Sequence, residues 1–141
     1  MGFFDFSRAL VRTAPSSVIG GLRAVDHGPP SLAGVRAEQT AYIAALEAAG
    51  ARVEILPGLE DFPDSIFVED VALVFPNAAI VLRPGAPSRR GEAAAIAPDL
   101  EARFERVLHL SGGTVDGGDV LATPGGIFIG VSARTSPACR N

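Results

Sequence analysis

The chain is poor in the side chains that form disulfides, cysteine-based metal centres and aromatic cores. Its 141 residues include one cysteine, one tyrosine and no tryptophan, and aromatic residues amount to 6%. A single cysteine, Cys139, excludes an internal disulfide and a cysteine-rich metal site, and it is typical of a reducing compartment. We therefore expect a cytoplasmic protein whose core is built from aliphatic side chains.

Two further absences restrict the class of protein. No apolar run approaches the roughly 18 residues that a membrane-spanning helix needs, and the first residues lack the basic-then-apolar order of a secretory signal. All 12 basic residues are arginines and the net charge is −4. Because general nucleic-acid binding needs a basic surface, that function is not expected. An all-arginine composition is typical of coding bias, so each arginine has to be judged by its position.

Length and composition predict one α/β domain over residues 1–141. The 16 glycines and 11 prolines indicate many turns. Apolar periodicity predicts helices over residues 37–49 and 91–107, the second with a break or a first turn at Pro98. Strands are predicted at residues 8–11, 52–56, 67–75, 78–82, 108–110, 120–123 and 127–131. The hairpins among them argue against a doubly wound parallel sheet.

A weak internal repeat links two of the predicted hairpins. Asp70 and Asp119 each open a strand–turn–strand segment, and each segment is followed by a small-residue loop that ends at an arginine, Arg89 or Arg134. Repeated modules of this kind are typical of wedges arranged around an axis, with the corresponding loops at one end. Ordinary hairpins also produce such a pattern by chance.

Three carboxylates, Asp64, Glu69 and Asp70, lie within seven residues. Partly desolvated like charges are unfavourable unless a cation lies between them, and a planar guanidinium pairs with carboxylates through two parallel hydrogen bonds. Arg89 and Arg134 are suited to grip a carboxylate in the same way. Together these residues predict a pocket for an amino acid with a basic side chain. The alternative is that the acids and both arginines only face solvent.

Residues 116–119, Asp-Gly-Gly-Asp, place two acids around a glycine pair before a predicted strand. One acid, Asp116, is suited to orient a histidine, as the buried acid of a catalytic triad does, and a turn with local side-chain hydrogen bonds is the alternative. Neither His27 nor His109 has another histidine or a cysteine at ligand spacing, so no metal site is expected. Cys139 has no histidine after it and is not predicted to be a nucleophile.

Four segments, in order, resemble the dimethylarginine dimethylaminohydrolase (dimethylargininase) family of guanidino-modifying enzymes. They are Phe-Pro-Asp-Ser-Ile-Phe-Val-Glu-Asp at 62–70, Arg-Pro-Gly-Ala-Pro-Ser-Arg at 83–89, Asp-Gly-Gly-Asp-Val-Leu at 116–121 and Ser-Ala-Arg-Thr at 132–135. The resemblance implies the pentein fold, a five-module α/β propeller of which this chain covers roughly the first half. It also implies hydrolysis of Nω-methylated L-arginine to L-citrulline and a methylamine, with no metal or organic cofactor.

In the implied mechanism, a cysteine thiolate attacks the guanidinium carbon and water hydrolyses the thiouronium adduct, with a histidine as general acid and base. The residues that match the family's substrate-binding positions are Ala14, Asp64, Glu69, Asp70, Arg89 and Arg134. Asp116 matches the acid that orients the histidine. The resemblance implies Glu69 and Asp70 nearest the guanidinium. It implies Asp64 on the substrate's amine and Arg134 on its carboxylate. At Ala14, where the family usually has leucine, the implied contact is the backbone carbonyl.

The resemblance also implies a departure from the family. The family's histidine lies downstream of the segment at 132–135 and its cysteine lies near the far C-terminus, and neither His109 nor Cys139 occupies those positions. We therefore expect an N-terminal portion that holds substrate-binding residues, lacks the nucleophile and is inactive alone. Its open strand edges predict marginal stability, aggregation or a homodimer.

Two other functions remain open at this point. One is a non-catalytic remnant that binds arginine derivatives, and the other is a related enzyme, an arginine deiminase or an amidinotransferase. The segments at 67–70 and 83–89 favour dimethylargininase over these enzymes. In each case we expect a small-molecule partner, with no nucleic acid and no membrane.

Overall fold

The computed structural model describes residues 6–137, so Cys139 lies outside the described residues. The chain divides into two compact units, one extending to Val68 and the other beginning at Glu69. Within residues 6–137, no helix combines the length and the apolar character that crossing a bilayer requires.

The first unit is built on a strand–helix–strand arrangement. Strand β1 (Arg8–Arg12) pairs in parallel with β2 (Arg52–Leu56), and helix α1 (Leu32–Ala48) lies between them in the chain. The helix begins earlier than the predicted residue 37 because the Ser31 side chain accepts a hydrogen bond from the Gly34 N–H. It ends before Gly50, whose φ of +93° is readily adopted only by glycine.

The second unit contains a three-stranded sheet and a separate hairpin. Strand β3 (Ala72–Phe75) is antiparallel to β4 (Ala78–Val81), and β4 is parallel to β5 (Arg106–His109). Helix α2 (Arg90–Glu101) makes the connection from β4 to β5. Strands β6 (Val120–Thr123) and β7 (Gly126–Ile129) form the antiparallel hairpin.

The core of the second unit lies between α2 and the central strand β4. Ala79 and Val81, two residues apart on β4, are buried, as the period of a strand requires. On α2 the buried residues are Glu92, Ile96 and Leu100, which recur every four residues and share one face. The buried face of α2 therefore includes one carboxylate, that of Glu92, at the N-terminal end of the helix.

Two of the predicted elements, the strand at 67–75 and the helix at 91–107, differ markedly from the observed ones. Residues 67–71 are not part of a strand, because Val68–Asp70 form a 3-10 turn before β3. Helix α2 ends at Glu101, well before residue 107, because the chain from Arg106 onward pairs with β4. Pro98 lies inside α2 without breaking it, in the last turn, where it removes one backbone hydrogen bond.

The two hairpins of the second unit share the features that the repeat predicted. Each follows a 3-10 turn that ends in an aspartate, Val68–Asp70 before β3 and Gly117–Asp119 before β6. Each consists of two four-residue strands joined by a two-residue turn. The two aspartates nevertheless have different partners, which are described below.

Candidate functional site

A buried ion-pair cluster connects Asp70, Arg89 and Glu92. The Arg89 Nε donates to Glu92 Oε1 at 3.0 Å, and Nη2 donates to Oε2 at 2.8 Å. The Nη1 atom donates to Asp70 Oδ2 at 2.5 Å. The side chains of Arg89 and Glu92 are only 5% and 3% exposed, and that of Asp70 is 14% exposed. One cation is thus held by two carboxylates with little access to water.

Burial lowers the pKa of Arg89, but hydrogen bonds and charge attraction from Glu92 and Asp70 outweigh it and raise the pKa. The guanidinium is therefore always charged, and the three side chains together carry a net single negative charge. Local sequence positions them: Arg89 ends a 3-10 turn, Pro87–Arg89, and Glu92 lies three residues later in the first turn of α2.

Glu69 lies beside this cluster and remains accessible to solvent. Desolvation by the surrounding protein raises the pKa of its carboxyl, the neighbouring Asp70 raises it further, and Arg89 opposes the change. The main physical cause is therefore desolvation, and the negative charge of the neighbouring residue is a smaller one. A cation bound here would favour the ionised form of Glu69.

Two glycines bring the segment at 116–119 against Glu69 and Asp70. A Cβ atom on Gly117 would lie 1.7 Å from the Glu69 carbonyl oxygen, so only glycine fits. The Gly118 N–H donates to Asp70 Oδ1 at 3.2 Å. Both carboxylate oxygens of Asp70 are therefore held, one by this amide and one by Arg89.

Asp116, next in the same segment, is fully buried. Its Oδ1 accepts a hydrogen bond from the Gly85 N–H at 2.9 Å, and its own N–H donates to Thr135 Oγ1 at 3.2 Å. Among the described residues its Oδ2 has no hydrogen-bond partner, although Arg134 Nε lies 3.3 Å away. A buried carboxylate oxygen in this state is an acceptor available to a further N–H donor.

Arg134 belongs to a loop that contacts the same region. Its side chain is 53% exposed, and its backbone packs so closely on Gly85 that a Cβ atom there would lie 2.2 Å from the Arg134 carbonyl oxygen. Asp119 holds the loop by accepting from Ser132 Oγ at 2.6 Å and from Thr135 Oγ1 at 2.5 Å. These bonds, the Ser132 bond first, lower the pKa of Asp119.

The second unit therefore brings together five of the residues singled out in the sequence. Asp70 and Glu69 contact the segment at 116–119 from one side, and Arg134 meets Asp116 in the same segment. The sequence analysis did not identify Glu92 as a site residue. A usable signal was its position four residues before Ile96 and eight before Leu100, because this spacing places the carboxylate on the apolar face of the helix. The sequence analysis also missed Thr135, whose fully buried hydroxyl links Asp116 to Asp119.

The remaining two candidates, Ala14 and Asp64, lie in the first unit. Ala14 is fully buried; its N–H donates to Gln39 Oε1 at 3.0 Å and its carbonyl accepts from Arg36 Nη2 at 3.3 Å. Asp64 is buried, and its Oδ1 accepts from the Leu22 N–H at 2.9 Å. Through these hydrogen bonds, both residues stabilise the backbone of the first unit.

Other features of the described residues lie apart from these candidates. His109 is exposed, with its Nε2 3.8 Å from Glu101 Oε1. An open groove of about 400 Å³ in the second unit is lined by Arg83, Arg90 and His109 over apolar side chains, and none of the candidate residues lines it. Residues 6–137 contain no group of three or more metal-ligating side chains placed to hold an ion.

Comparison with known proteins gives a consistent set of relatives. No family model matches the chain. It is 38% identical, over 93% of its length, to N(G),N(G)-dimethylarginine dimethylaminohydrolase of Pseudomonas aeruginosa, and 39% identical, again over 93%, to the protein of that name in Streptomyces coelicolor. The chain covers 52% of each of these two proteins and so spans about half the length of the curated relatives it matches.

Solved structures agree with the sequence comparison. The Pseudomonas aeruginosa dimethylarginine dimethylaminohydrolase, a cysteine-to-serine mutant complexed with citrulline, matches with a TM-score of 0.91 at 38% identity, covering 95% of this chain and 53% of that one. A histidine-to-glycine variant in adduct with S-methyl-L-thiocitrulline matches with a TM-score of 0.89 at 37% identity, covering 94% and 53%. The predicted α/β class and pentein fold are thereby confirmed. Over 93% of its own length, the chain is therefore similar to dimethylarginine dimethylaminohydrolases.

Proposed function

We propose that this chain supplies the substrate-binding residues of an enzyme that hydrolyses Nω-methylated L-arginine to L-citrulline and a methylamine. One observation carries the proposal. In a single compact unit, the fixed carboxylate of Asp70 contacts the segment at 116–119, and that segment contains Asp116, a buried carboxylate with an available acceptor oxygen. The carboxylate proposed to bind the guanidinium thus contacts the backbone at Gly118, two residues after the carboxylate proposed to bind a catalytic histidine.

The guanidinium of the substrate binds to Glu69 and Asp70. Both are carboxylates, and Asp70 belongs to a cluster in which two carboxylates share the one guanidinium of Arg89, so a delocalised cation is favoured beside it. A bound cation favours the ionised form of Glu69, which desolvation and, to a smaller degree, the neighbouring Asp70 disfavour. The resemblance also implies that Asp64 binds the substrate's amine and that the backbone carbonyl of Ala14 contacts the substrate.

The carboxylate of the substrate binds to Arg134, whose side chain is half exposed and whose loop is fixed by Asp119. Arg89 contributes in another way. Because its guanidinium is bound by Glu92 and Asp70, it supports substrate binding through Asp70.

Asp116 orients the catalytic histidine. Its Oδ2 accepts an N–H of the imidazole, which fixes the ring and favours its protonated form. A cysteine thiolate adds to the guanidinium carbon, and the imidazolium gives its proton to the departing methylamine. The neutral imidazole then takes one proton from water as the water oxygen bonds to the thiouronium carbon. The resulting adduct loses its hydroxyl proton to solvent as its C–S bond breaks, which releases citrulline and re-forms the thiolate. We place this histidine and cysteine downstream of residues 132–135, and assign neither role to His109 or Cys139.

The proposal includes self-association in the cytoplasm. The hairpin of β6 and β7 exposes three large apolar side chains, Leu121 at 61%, Ile127 at 47% and Phe128 at 62%. Leu121 and Phe128 are paired across the two strands, and exposed apolar side chains of this kind are typical of an interface. Light scattering of the 141-residue chain is expected to give a dimer or larger species, and a monomer at micromolar concentration would contradict this part of the proposal.

The activity is tested on the product of the gene that encodes these residues, with Nω,Nω-dimethyl-L-arginine and free L-arginine as substrates. Citrulline released from the dimethylated substrate in preference is the expected result. Preference for free arginine would instead identify an arginine deiminase. Binding of dimethylarginine without turnover would identify a non-catalytic binding protein, and absence of both would overturn the proposal.

A further inference from the structure

The buried carboxylate of Glu92 has no role in the substrate contacts proposed above. We propose that Glu92 is a positioning residue: it fixes the plane of the Arg89 guanidinium, and Arg89 in turn fixes Asp70 in the orientation that receives the cationic end of the substrate. This inference deepens the proposed function and rests on it.

The geometry of the cluster limits the freedom of Arg89 to one arrangement. Glu92 accepts from Nε at 3.0 Å and from Nη2 at 2.8 Å, which is the two-bond pairing of a carboxylate with one edge of a guanidinium. The plane of the guanidinium is then set by helix α2, because Glu92 belongs to the first turn of that helix. The Nη1 atom consequently faces Asp70 Oδ2 at 2.5 Å.

Asp70 is held by two donors, and only one of them is a side chain. The Gly118 N–H holds Oδ1, and Arg89 holds Oδ2. If the guanidinium plane turned, Asp70 would keep a single backbone contact and its carboxylate would be free to rotate. Glu92 therefore controls the direction of Asp70 without touching the substrate.

Glu92 also sets the charge of the site. With Glu92 ionised, one cation and two anions leave a net negative charge next to Glu69. Without the charge of Glu92, the pair of Arg89 and Asp70 is neutral, and a cationic substrate is attracted only by Glu69. The side chains of Arg89 and Glu92 are 5% and 3% exposed, so water screens this difference weakly.

A purely structural role for Glu92 makes a different prediction. An acid in the first turn of a helix stabilises the helix by its interaction with the macrodipole, whatever lies nearby. Loss of that effect lowers stability and weakens all ligands to a similar degree. Control of Asp70 by Glu92 instead predicts a loss that depends on the charge of the ligand.

The test compares two ligands that differ in the charge of the side chain. Calorimetry on the 141-residue chain measures the affinity for Nω,Nω-dimethyl-L-arginine, which is cationic, and for L-citrulline, whose ureido group is neutral. The variants are Glu92→Gln, which keeps the shape, and Glu92→Asp, which keeps the charge. Glu101→Gln is the matched control, because it removes an exposed negative charge from the same helix.

We expect Glu92→Gln to lower the affinity for dimethylarginine about tenfold more than the affinity for citrulline, in line with the loss of one charge-assisted contact. Glu92→Asp is expected to recover part of this ratio, and Glu101→Gln to leave it unchanged. An equal loss for both ligands in Glu92→Gln would overturn the inference and leave a structural role only.

A second readout needs no ligand and separates this inference from the proposed function. Amide hydrogen exchange at Gly118 reports how firmly Asp70 Oδ1 is held. We expect exchange at Gly118 to be about tenfold faster in Glu92→Gln and unchanged in Glu101→Gln. If the parent chain binds neither ligand, the proposed function fails. If exchange at Gly118 is unchanged in Glu92→Gln, the positioning role of Glu92 is overturned, whatever the ligand measurements give.

Discussion

The close packing of Gly117 on the backbone of Glu69 gives the sharpest mutational prediction. In Gly117→Ala the new Cβ would lie 1.7 Å from the Glu69 carbonyl oxygen and 3.2 Å from the Asp70 Cα. The carbonyl has to move by about 2 Å to reach an ordinary contact distance. Overpacking of this kind costs about 1–3 kcal/mol, and it acts on a backbone that cannot move aside as a side chain tip does. For a unit of this size, Tm falls by roughly 5–20 °C.

The matched control is Gly112→Ala, in the loop before the same segment, where an added Cβ meets no atom within 4 Å. Thermal unfolding by circular dichroism measures both variants, and calorimetry measures their affinity for Nω,Nω-dimethyl-L-arginine. We expect Gly117→Ala to lose stability and ligand affinity together, since Asp70 moves with Glu69. Equal Tm values for the two variants would refute the close approach of these two segments.

Three further predictions concern protonation and the first unit. Because the pKa of Glu69 is raised, first of all by desolvation, binding of dimethylarginine is expected to weaken as pH falls through that raised pKa. Glu69→Gln is expected to remove this step in a calorimetric pH series. The pKa of Asp119 is lowered, first of all by the hydrogen bond from Ser132, so the stability that ionised Asp119 contributes is present above its ordinary pKa and is lost as pH falls through the lowered pKa. When Tm is measured against pH, Asp119→Asn is expected not to show this acid loss of Tm. Gln39→Leu leaves two backbone groups at the end of β1 without their partner, and urea unfolding is expected to show a loss of about 1–3 kcal/mol.

The sequence allowed most of the elements to be predicted, because their signals are local. Strand β2 matches the prediction at both ends, and both hairpins follow from apolar runs separated by proline, asparagine and glycine. The segment at 67–71 was predicted as strand because it opens the largely apolar run at 67–75. It instead contains a 3-10 turn in which Asp70 pairs with Arg89, a partner 19 residues away that no local pattern reveals.

The candidate residues were predictable as a set, but their partners were not. Asp116 and Arg134 were identified as separate features. Asp116 is held by the Gly85 N–H, from another loop, and by Thr135, the neighbour of Arg134, so the approach of Asp116 and Arg134 to 3.3 Å depends on contacts that no local pattern reveals. Arg89 was predicted to face a substrate carboxylate, and that role stays a prediction. The contacts of Arg89 with Glu92 and Asp70 depend on the packing of α2. Apolar periodicity predicts that this helix packs on the core, but it does not predict the partners of its first turn.

The most direct measurement is a titration of the chain with Nω,Nω-dimethyl-L-arginine, followed by the shifts of its backbone amide resonances. The account predicts that the largest changes fall on Glu69, Asp70 and Gly118, with Gly112 unaffected. Absence of any change at these amides under saturating ligand, or changes confined to the groove at Arg83 and Arg90, would contradict the assignment of this cluster as the binding site for the guanidinium group.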